Sequence, residues 1–365
     1  MLSWRITLGA LLILTMIALC WLDVWAEQPQ LMPRSFANTS AQLPGLFLVP
    51  VVVLVAVLAT QETLRLAAAG GVQPAGMPVY LGNVLIVLGQ WAPVFYGFIP
   101  HAVADPRGLV AGRGSNYMEL FLSASRSPLW ALGLGVIIIF LHEMSTYRQP
   151  GGSLLRIAVS VFALVYVGVM LAFAVQLRLF WGIGAVASWI VTVKMGDIGA
   201  YTIGRLFGQT KMAPAISPGK TNEGAIGAVL FACLGSWISF HGIGFQWIHW
   251  LGNFQWLSTI PSLPFFHQLT SIHWDGIVPN VPTAVILPPG LPIGWLFFGL
   301  FLGMAGLLAD LAESLLKRDV GMKDSSDWMP GFGGVLDILD SLLLSAPVAW
   351  LLWAAGVVGP GGMAM

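Results

Sequence analysis

Charge is what this sequence has least of. Asp, Glu, Lys and Arg make up 9% of its 365 residues, where a soluble globular domain carries about a quarter. Hydrophobic residues reach 57%, so the solvent that suits this chain is a bilayer. The formal net charge is zero and no basic tail or stripe is present, which excludes nucleic acid as a partner. Cysteine is nearly absent. Cys20 and Cys233 both lie in apolar runs and form neither a disulfide framework nor a metal-ligand spacing. No internal repeat is evident, and no polar stretch is long enough to fold as a separate soluble domain.

What the chain does have is a succession of apolar runs. A helix needs about 20 mostly apolar residues to cross the hydrocarbon core. Nine runs come near that length, at 6–22, 43–60, 78–100, 128–142, 156–176, 179–195, 224–240, 292–309 and 341–358. The expected fold is therefore an all-α polytopic membrane protein with about nine transmembrane helices. Pro, Gly and charge mark the breaks, as at Pro150-Gly151-Gly152 and Pro288-Pro289-Gly290. The first run resembles a signal peptide, with Arg5 before it and Val24-Trp25-Ala26 after it. Its apolar core of 17 residues favours an uncleaved span. Residues 1–177 read as N-terminal membrane helices, and 178–365 as a C-terminal catalytic region carrying two polar segments, 196–224 and 310–341.

Lys and Arg decide orientation. With the N-terminus in the cytoplasm, eleven fall inside and five outside. Segment 241–291, which has neither residue, then lies outside. The loop 101–127 runs against the bias with Arg107, Arg113 and Arg126 on the outer side, and an interfacial helix there would account for it. Nine spans place the C-terminus outside and both polar segments at the cytoplasmic face, where nucleotides are available.

In the first polar segment, Asp197 closes an apolar span. A lipid-facing, unpaired carboxylate there costs roughly several kcal/mol, so it faces a polar cavity or a cation, or it sits among headgroups beside Lys194. Position alone leaves both open. Ser217-Pro218-Gly219-Lys220-Thr221 invites a P-loop reading, but Pro214 stands where that motif needs Gly and no buried strand precedes it. What remains is a short loop with Ser217 and Lys220 ahead of a helix starting near Glu223, a setting suited to an anion. Thr221 reads as that helix's N-cap, with Asn222 as second choice.

The second polar segment is the conspicuous one. Asp310 to Asp340 holds ten of the 32 charged side chains, seven of them acidic and three basic. An acidic pocket that binds phosphate needs a divalent cation between, and Asp oxygens suit Mg²⁺. Asp337 and Asp340 are three apart and share a helix face. Gly333 and Gly334 permit close backbone approach to a ligand, while Lys317, Arg318 and Lys323 suit phosphate oxygens. A plain interfacial loop, with Asp337 and Asp340 as N-terminal charges on the last helix, explains each feature singly. Together they favour a metal–phosphate site.

At this point the pattern resembles the phosphatidate cytidylyltransferase, or CDP-diacylglycerol synthase, family. The matching positions are Ser314, Lys317, Arg318, Lys323, Asp324, Pro330, Gly331, Gly333, Gly334, Asp337 and Asp340, preceded by Asp310 and Glu313. The first segment is similar too, through Asp197, Tyr201, Gly204, Arg205, Gly208, Lys211, Ser217-Pro218, Lys220-Thr221 and Glu223-Gly224. Phe332 and Ile338 stand where that family usually has His and Arg, and Gly219 and Asn222 where it usually has Lys and Trp. The resemblance implies transfer of CMP from CTP to phosphatidic acid at the inner face of a bacterial cytoplasmic membrane. It implies Mg²⁺ as cofactor, leaving open a second, monovalent cation and a homodimer. By match to the motif, Asp324, Asp337 and Asp340 would serve metal and activation, with Asp197 and Asp310 behind them. Lys317, Arg318, Lys323, Ser217, Lys220, Thr221, Gly333 and Gly334 would contact nucleotide or phosphate.

Three rivals are weighed. A CTP-dependent lipid kinase would cut the γ bond instead of the α. The CDP-alcohol phosphatidyltransferase class needs Asp-Gly-x-x-Ala-Arg, whereas Asp275-Gly276 continues Ile-Val-Pro-Asn. A transporter would carry acids at the midplane and inverted repeats, but here the acids gather at one face. Within 241–291, His241, His249, His267 and His273 lack tight ligand spacing, and the neighbouring tryptophans read as interfacial anchors.

Overall fold

The computed structural model describes residues 9, 14–23, 45, 47–91, 116–241, 293–326 and 333–358. In chain order its elements are α1 (Leu14–Asp23), α2 (Val49–Ala69), α3 (Gly76–Leu88, continued by a 3-10 turn), α4 (Asn116–Thr146) and α5 (Ser153–Ala163). A π-helical turn (Leu164–Val169) leads into α6 (Met170–Phe207). A hairpin of β1 (Lys211–Ala213) and β2 (Ser217–Thr221) precedes α7 (Asn222–His241), α8 (Gly294–Asp319), α9 (Val335–Leu343) and α10 (Ala346–Ala354).

Six helical stretches among the described residues are long and apolar enough to cross a membrane: Val49–Ala69, Ser127–Thr146, Ser153–Phe207, Asn222–His241, Gly294–Asp319 and Val335–Ala354. The chain is a helical, polytopic integral membrane protein. Leu54, Ile137, Leu154 and Leu308 point outward at 55–82% exposure, the finish that lipid contact calls for.

The expected runs 156–176 and 179–195 fall inside one stretch of 55 residues, Ser153–Phe207. Gly182 interrupts it with φ +80° and ψ −172°, a backbone region essentially reserved for glycine. The expected run 78–100 is helical from 76 to 91, and its remainder lies outside the described residues, as do residues 101–115 and 242–292. Residues 116–126 form the first turns of α4.

The chain divides into two compact units. One comprises residues 1–180, 215–217 and 308–347; the other comprises 181–214, 218–307 and 348–365. Residues 308–347 group with the N-terminal helices. Packing supplies the reason. Leu336 and Leu343 of α9 are buried in one cluster with Ala56, Ala59 and Leu66 of α2, Tyr166 and Leu171.

In the first unit, small residues let helices approach closely, the usual device where lipid offers no hydrophobic drive between them. A Cβ on Gly82 of α3 would lie 3.5 Å from the Cα of Gly135 of α4, and 2.6 Å from Leu164. A buried polar ladder runs through the same unit. Asn83 donates to Thr60 (2.7 Å), and Gln90 accepts from Gln176 and Ser127 (both 2.8 Å). The guanidinium of Arg178 donates twice to Asp23 Oδ2 (2.9 and 2.6 Å), whose other oxygen accepts from Phe47 N–H (3.0 Å). Both members of that pair are buried, so losing either one would leave an uncompensated charge.

The second unit packs α7 against α8 and the end of α6. A Cβ on Gly199 would collide with Gly227 and Phe231, and one on Gly299 with the backbone of Cys233. Phe240 meets Phe298 edge to face at 5.4 Å. The Trp181 ring lies 6.0 Å from both Trp350 and Trp353.

Gly182→Ala should strain the break in α6 and cost about 1–3 kcal/mol. Gly133→Ala, in open space on a regular helix, should be neutral or stabilising. Thermal unfolding of the two variants in detergent tests this, and equal Tm values would contradict it.

Candidate active site

The last turns of α8 put Asp310, Glu313, Ser314 and Lys317 on one face, because residues three and four apart are neighbours on a helix. Glu313 is fully buried and Lys317 nearly so, with 3.3 Å between Lys317 Nζ and Glu313 Oε1. The helix stops at Gly321, whose φ of +72° allows Gly321 N–H to reach Arg318 O (3.0 Å) and Met322 N–H to reach Lys317 O (2.8 Å). That is a Schellman ending. It turns the chain back toward α9 while leaving Lys317 aimed sideways.

Lys317 bonds Asp337 Oδ1 across the gap at 2.7 Å, and each side chain is only 11% exposed. The other oxygen, Oδ2, accepts from Ser325 N–H (2.9 Å), Ser325 Oγ (2.8 Å) and Gly334 N–H (2.7 Å). Asp337 is therefore held from two sides, with one oxygen on backbone and hydroxyl donors and the other on an ammonium. The reading of Asp337 as an N-terminal helix charge describes its contacts well, and the same geometry gives it a fixed orientation.

Sequence reasoning missed the residue beside it. Glu62 of α2 is 4% exposed. Its Oε1 accepts from Val335 N–H (3.0 Å), and its Oε2 from Leu336 N–H (2.7 Å) and Ser325 Oγ (2.8 Å). The first N–H groups of a helix lack intrahelical partners, and Gly334, the N-cap of α9, has no side chain to offer. Glu62 supplies the cap from another helix. A Cβ on Gly334 would collide with that carboxylate and with Ser325 Oγ, and one on Gly333 (φ +78°) with Asp337. The two glycines thus make room for the chain's own acids. A signal for Glu62 was present: it is an acid within Val49–Ala69, where an unpaired charge is costly.

Several of the remaining predicted residues have contacts of their own. Asp340 accepts from Ser341 N–H at 2.5 Å, and Asp310 lies 3.4 Å from the Ser314 hydroxyl. Asp324 and Lys323 are exposed. Arg318 is also exposed and donates to Met322 O (3.1 Å). Phe332 lies outside the described residues, and Ile338 follows Asp337 in α9.

In the hairpin segment, Asp197 pairs with Lys194 at 3.0 Å, both about one-third exposed. That contact fits the headgroup reading of Asp197. Thr221 caps α7 by accepting from Gly224 N–H at 3.1 Å, as the sequence suggested. Glu223 accepts from Gln209 N–H (3.1 Å) and from the Thr210 hydroxyl (2.9 Å), tying the turn before β1 to the helix. Ser217 and Lys220 are half-buried on β2. Among the described residues, no group of three or more His, Cys, Asp or Glu could by itself hold a metal ion.

Comparison with known proteins follows the same lines. The chain matches the model of the cytidylyltransferase family over residues 34–355. The phosphatidate cytidylyltransferase of Chlamydia pneumoniae is 33% identical over 208 residues, 55% of this chain and 55% of that protein. That of Haemophilus influenzae is 30% identical over 59% of this chain and 62% of its own length. That of Mycobacterium bovis is 26% identical over 83% and 79%. The chain thus spans little more than half the length of the first two of these relatives.

Gly334→Ala should force Glu62 and Ser325 apart and destabilise the protein by about 1–3 kcal/mol. Thr221→Ala should cost about 1 kcal/mol through its lost cap. Denaturation midpoints of both variants check the ranking, and a Gly334→Ala protein as stable as the parent would contradict the clamp.

Proposed function

The chain belongs to the cytidylyltransferase family, and from that premise we propose that it transfers CMP from CTP to phosphatidic acid. A phosphate oxygen of the lipid forms a bond to the α-phosphorus of CTP. The α–β P–O bond breaks, pyrophosphate leaves with the electron pair, and CDP-diacylglycerol results. The nucleophile is already an anion, so the protein's task is positioning and charge neutralisation. The observation that carries this reading is the Lys317–Asp337 pair, nearly buried at the ends of two apolar helices. An ammonium has three N–H donors. Lys317 donates one to Asp337 and lies 3.3 Å from Glu313 in an ion pair, so it keeps donor capacity for a phosphate oxygen.

Mg²⁺ is the proposed resident cation. It commonly takes one or two carboxylates and completes its shell with water and substrate phosphates. The residues present fit that mode better than a protein cage. Asp337 and Asp340, one turn along α9, would hold it, with Asp310 and Asp324 in support. When bound, it would neutralise phosphate charge. Arg318, Lys323 and Ser217 would contact the nucleotide.

Nine spans with the N-terminus inside complete the proposal. The break at Gly182 splits Ser153–Phe207 into two, and α1 and the stretch 76–91 supply two more. The Lys and Arg bias then puts the site at the cytoplasmic face of the bacterial inner membrane. There the lipid phosphate meets CTP while the acyl chains stay in hydrocarbon.

Purified protein in mixed micelles with phosphatidic acid, Mg²⁺ and CTP labelled on either the α- or the γ-phosphate tests the reaction. Label from the α position alone should enter the lipid. Transfer of γ label to a lipid alcohol would make the protein a kinase, and transfer of neither would sink the reading. Asp337→Asn can keep its amide oxygen on Ser325 and Gly334 but turns N–H₂ toward Lys317. Turnover should then fall at least about 100-fold with the protein still inserted; an active variant would exclude Asp337 from the site.

A further inference from the structure

We infer that Glu62 is a positioning residue for the transfer reaction, acting on Asp337 through Ser325. The inference rests on the reading of Asp337 as part of the catalytic centre.

The two oxygens of Glu62 do different work. Oε1 accepts from helix backbone, at Val335 N–H. Oε2 meets Leu336 N–H and also the Ser325 hydroxyl. Were capping its only task, a Ser, Asp or Asn at position 334 would serve from within the same helix. The chain instead carries Gly334 and reaches across 263 residues of sequence to bond Ser325 with Glu62.

Ser325 is the hinge of the argument. Its hydroxyl has one proton, yet Oγ lies 2.8 Å from both Glu62 Oε2 and Asp337 Oδ2. Two carboxylates therefore compete for one donor, and the hydroxyl's place is set by both. Ser325 N–H also bonds Asp337 Oδ2, so whatever fixes Ser325 fixes that oxygen. Gly334 N–H, in the turn that Glu62 caps, bonds the same oxygen. Both supports of Oδ2 thus depend on Glu62.

The consequence is a carboxylate with one oxygen facing inward and one outward. Oδ2 is taken by three internal donors, while Oδ1 has only Lys317 among the described residues. A carboxylate oxygen has room for a second interaction, so Oδ1 is the atom Asp337 can present outward to a donor or a cation. Losing the Glu62 carboxylate would free Ser325 and let Asp337 turn about its Cβ–Cγ bond. Misplacement by about 1 Å can cost a factor of about 100 in rate.

The test is a double-mutant cycle on the full chain, using Glu62→Gln, Ser325→Ala and the pair, with kcat and KM measured for CTP and phosphatidic acid. Glu62→Gln should lower kcat about 10- to 100-fold, as removal of a supporting hydrogen-bond partner commonly does, with both KM values within about twofold of the parent. The double variant should be no slower than the slower single variant. Glu62→Asp keeps the charge and should retain more activity than Glu62→Gln; it enters the same cycle if Glu62→Gln does not fold. Losses that multiply across the cycle, or that appear in KM alone, would overturn the inference and leave Glu62 a cap only. If the parent protein transfers no CMP, the functional reading falls first. If it transfers CMP and the cycle is additive, only the inference falls.

Discussion

The buried N-terminus of α9 is the constraint on which the first unit depends. Its unpaired N–H groups lie where water is scarce, and each buried donor left without a partner costs about 1–3 kcal/mol. Glu62 takes two of them, and Asp337 takes the N–H groups of Gly334 and Ser325. Two carboxylates so close to one helix end need positive charge in return. The helix dipole supplies part of it, and Lys317 supplies a full cation to Asp337. The result ties three helices together: α2 through Glu62, α8 through Lys317 and α9 through its own first turn.

That arrangement explains why glycine occurs where it does in the segment. Gly321 ends α8 in a conformation that lets Lys317 face across the gap, and Gly333 and Gly334 vacate the space that the acids fill. The core beneath is apolar and closely packed. Leu336 and Leu343 sit among α2 residues, so the polar clamp and the hydrophobic contact hold α9 in the same register. Neither alone would do so, because an apolar face can slide in lipid while a hydrogen-bonded helix end cannot.

The proposed nucleotidyl transfer to a lipid would place particular demands on such a frame. The nucleophile, the leaving group and the cation all carry charge, so small displacements of protein charges are felt strongly in a site of low dielectric. Lys317 and Asp337 meet at the ends of two apolar helices. Their rigidity comes from hydrogen bonds that the substrate does not have to supply.

Much of this was legible in the linear chain. Scarce charge and repeated apolar runs announced a membrane protein, and the ten charges between Asp310 and Asp340 include the Lys317–Asp337 pair. Thr221 as a cap and Lys194 beside Asp197 could be read because their partners are three residues away. The break at Gly182 was not legible, since a glycine in an apolar run looks the same whether its φ is negative or positive. Glu62 stood out only as an acid within an apolar run, and its role was not legible, because its partners are backbone N–H groups and one hydroxyl more than 260 residues distant. The sequence by itself determined the solvent, the family motif and the local caps, all of which act over a few residues or through composition. Only the tertiary structure decided which acid completes the last helix and which way Asp337 points, because those depend on α2, α8 and α9 meeting in space.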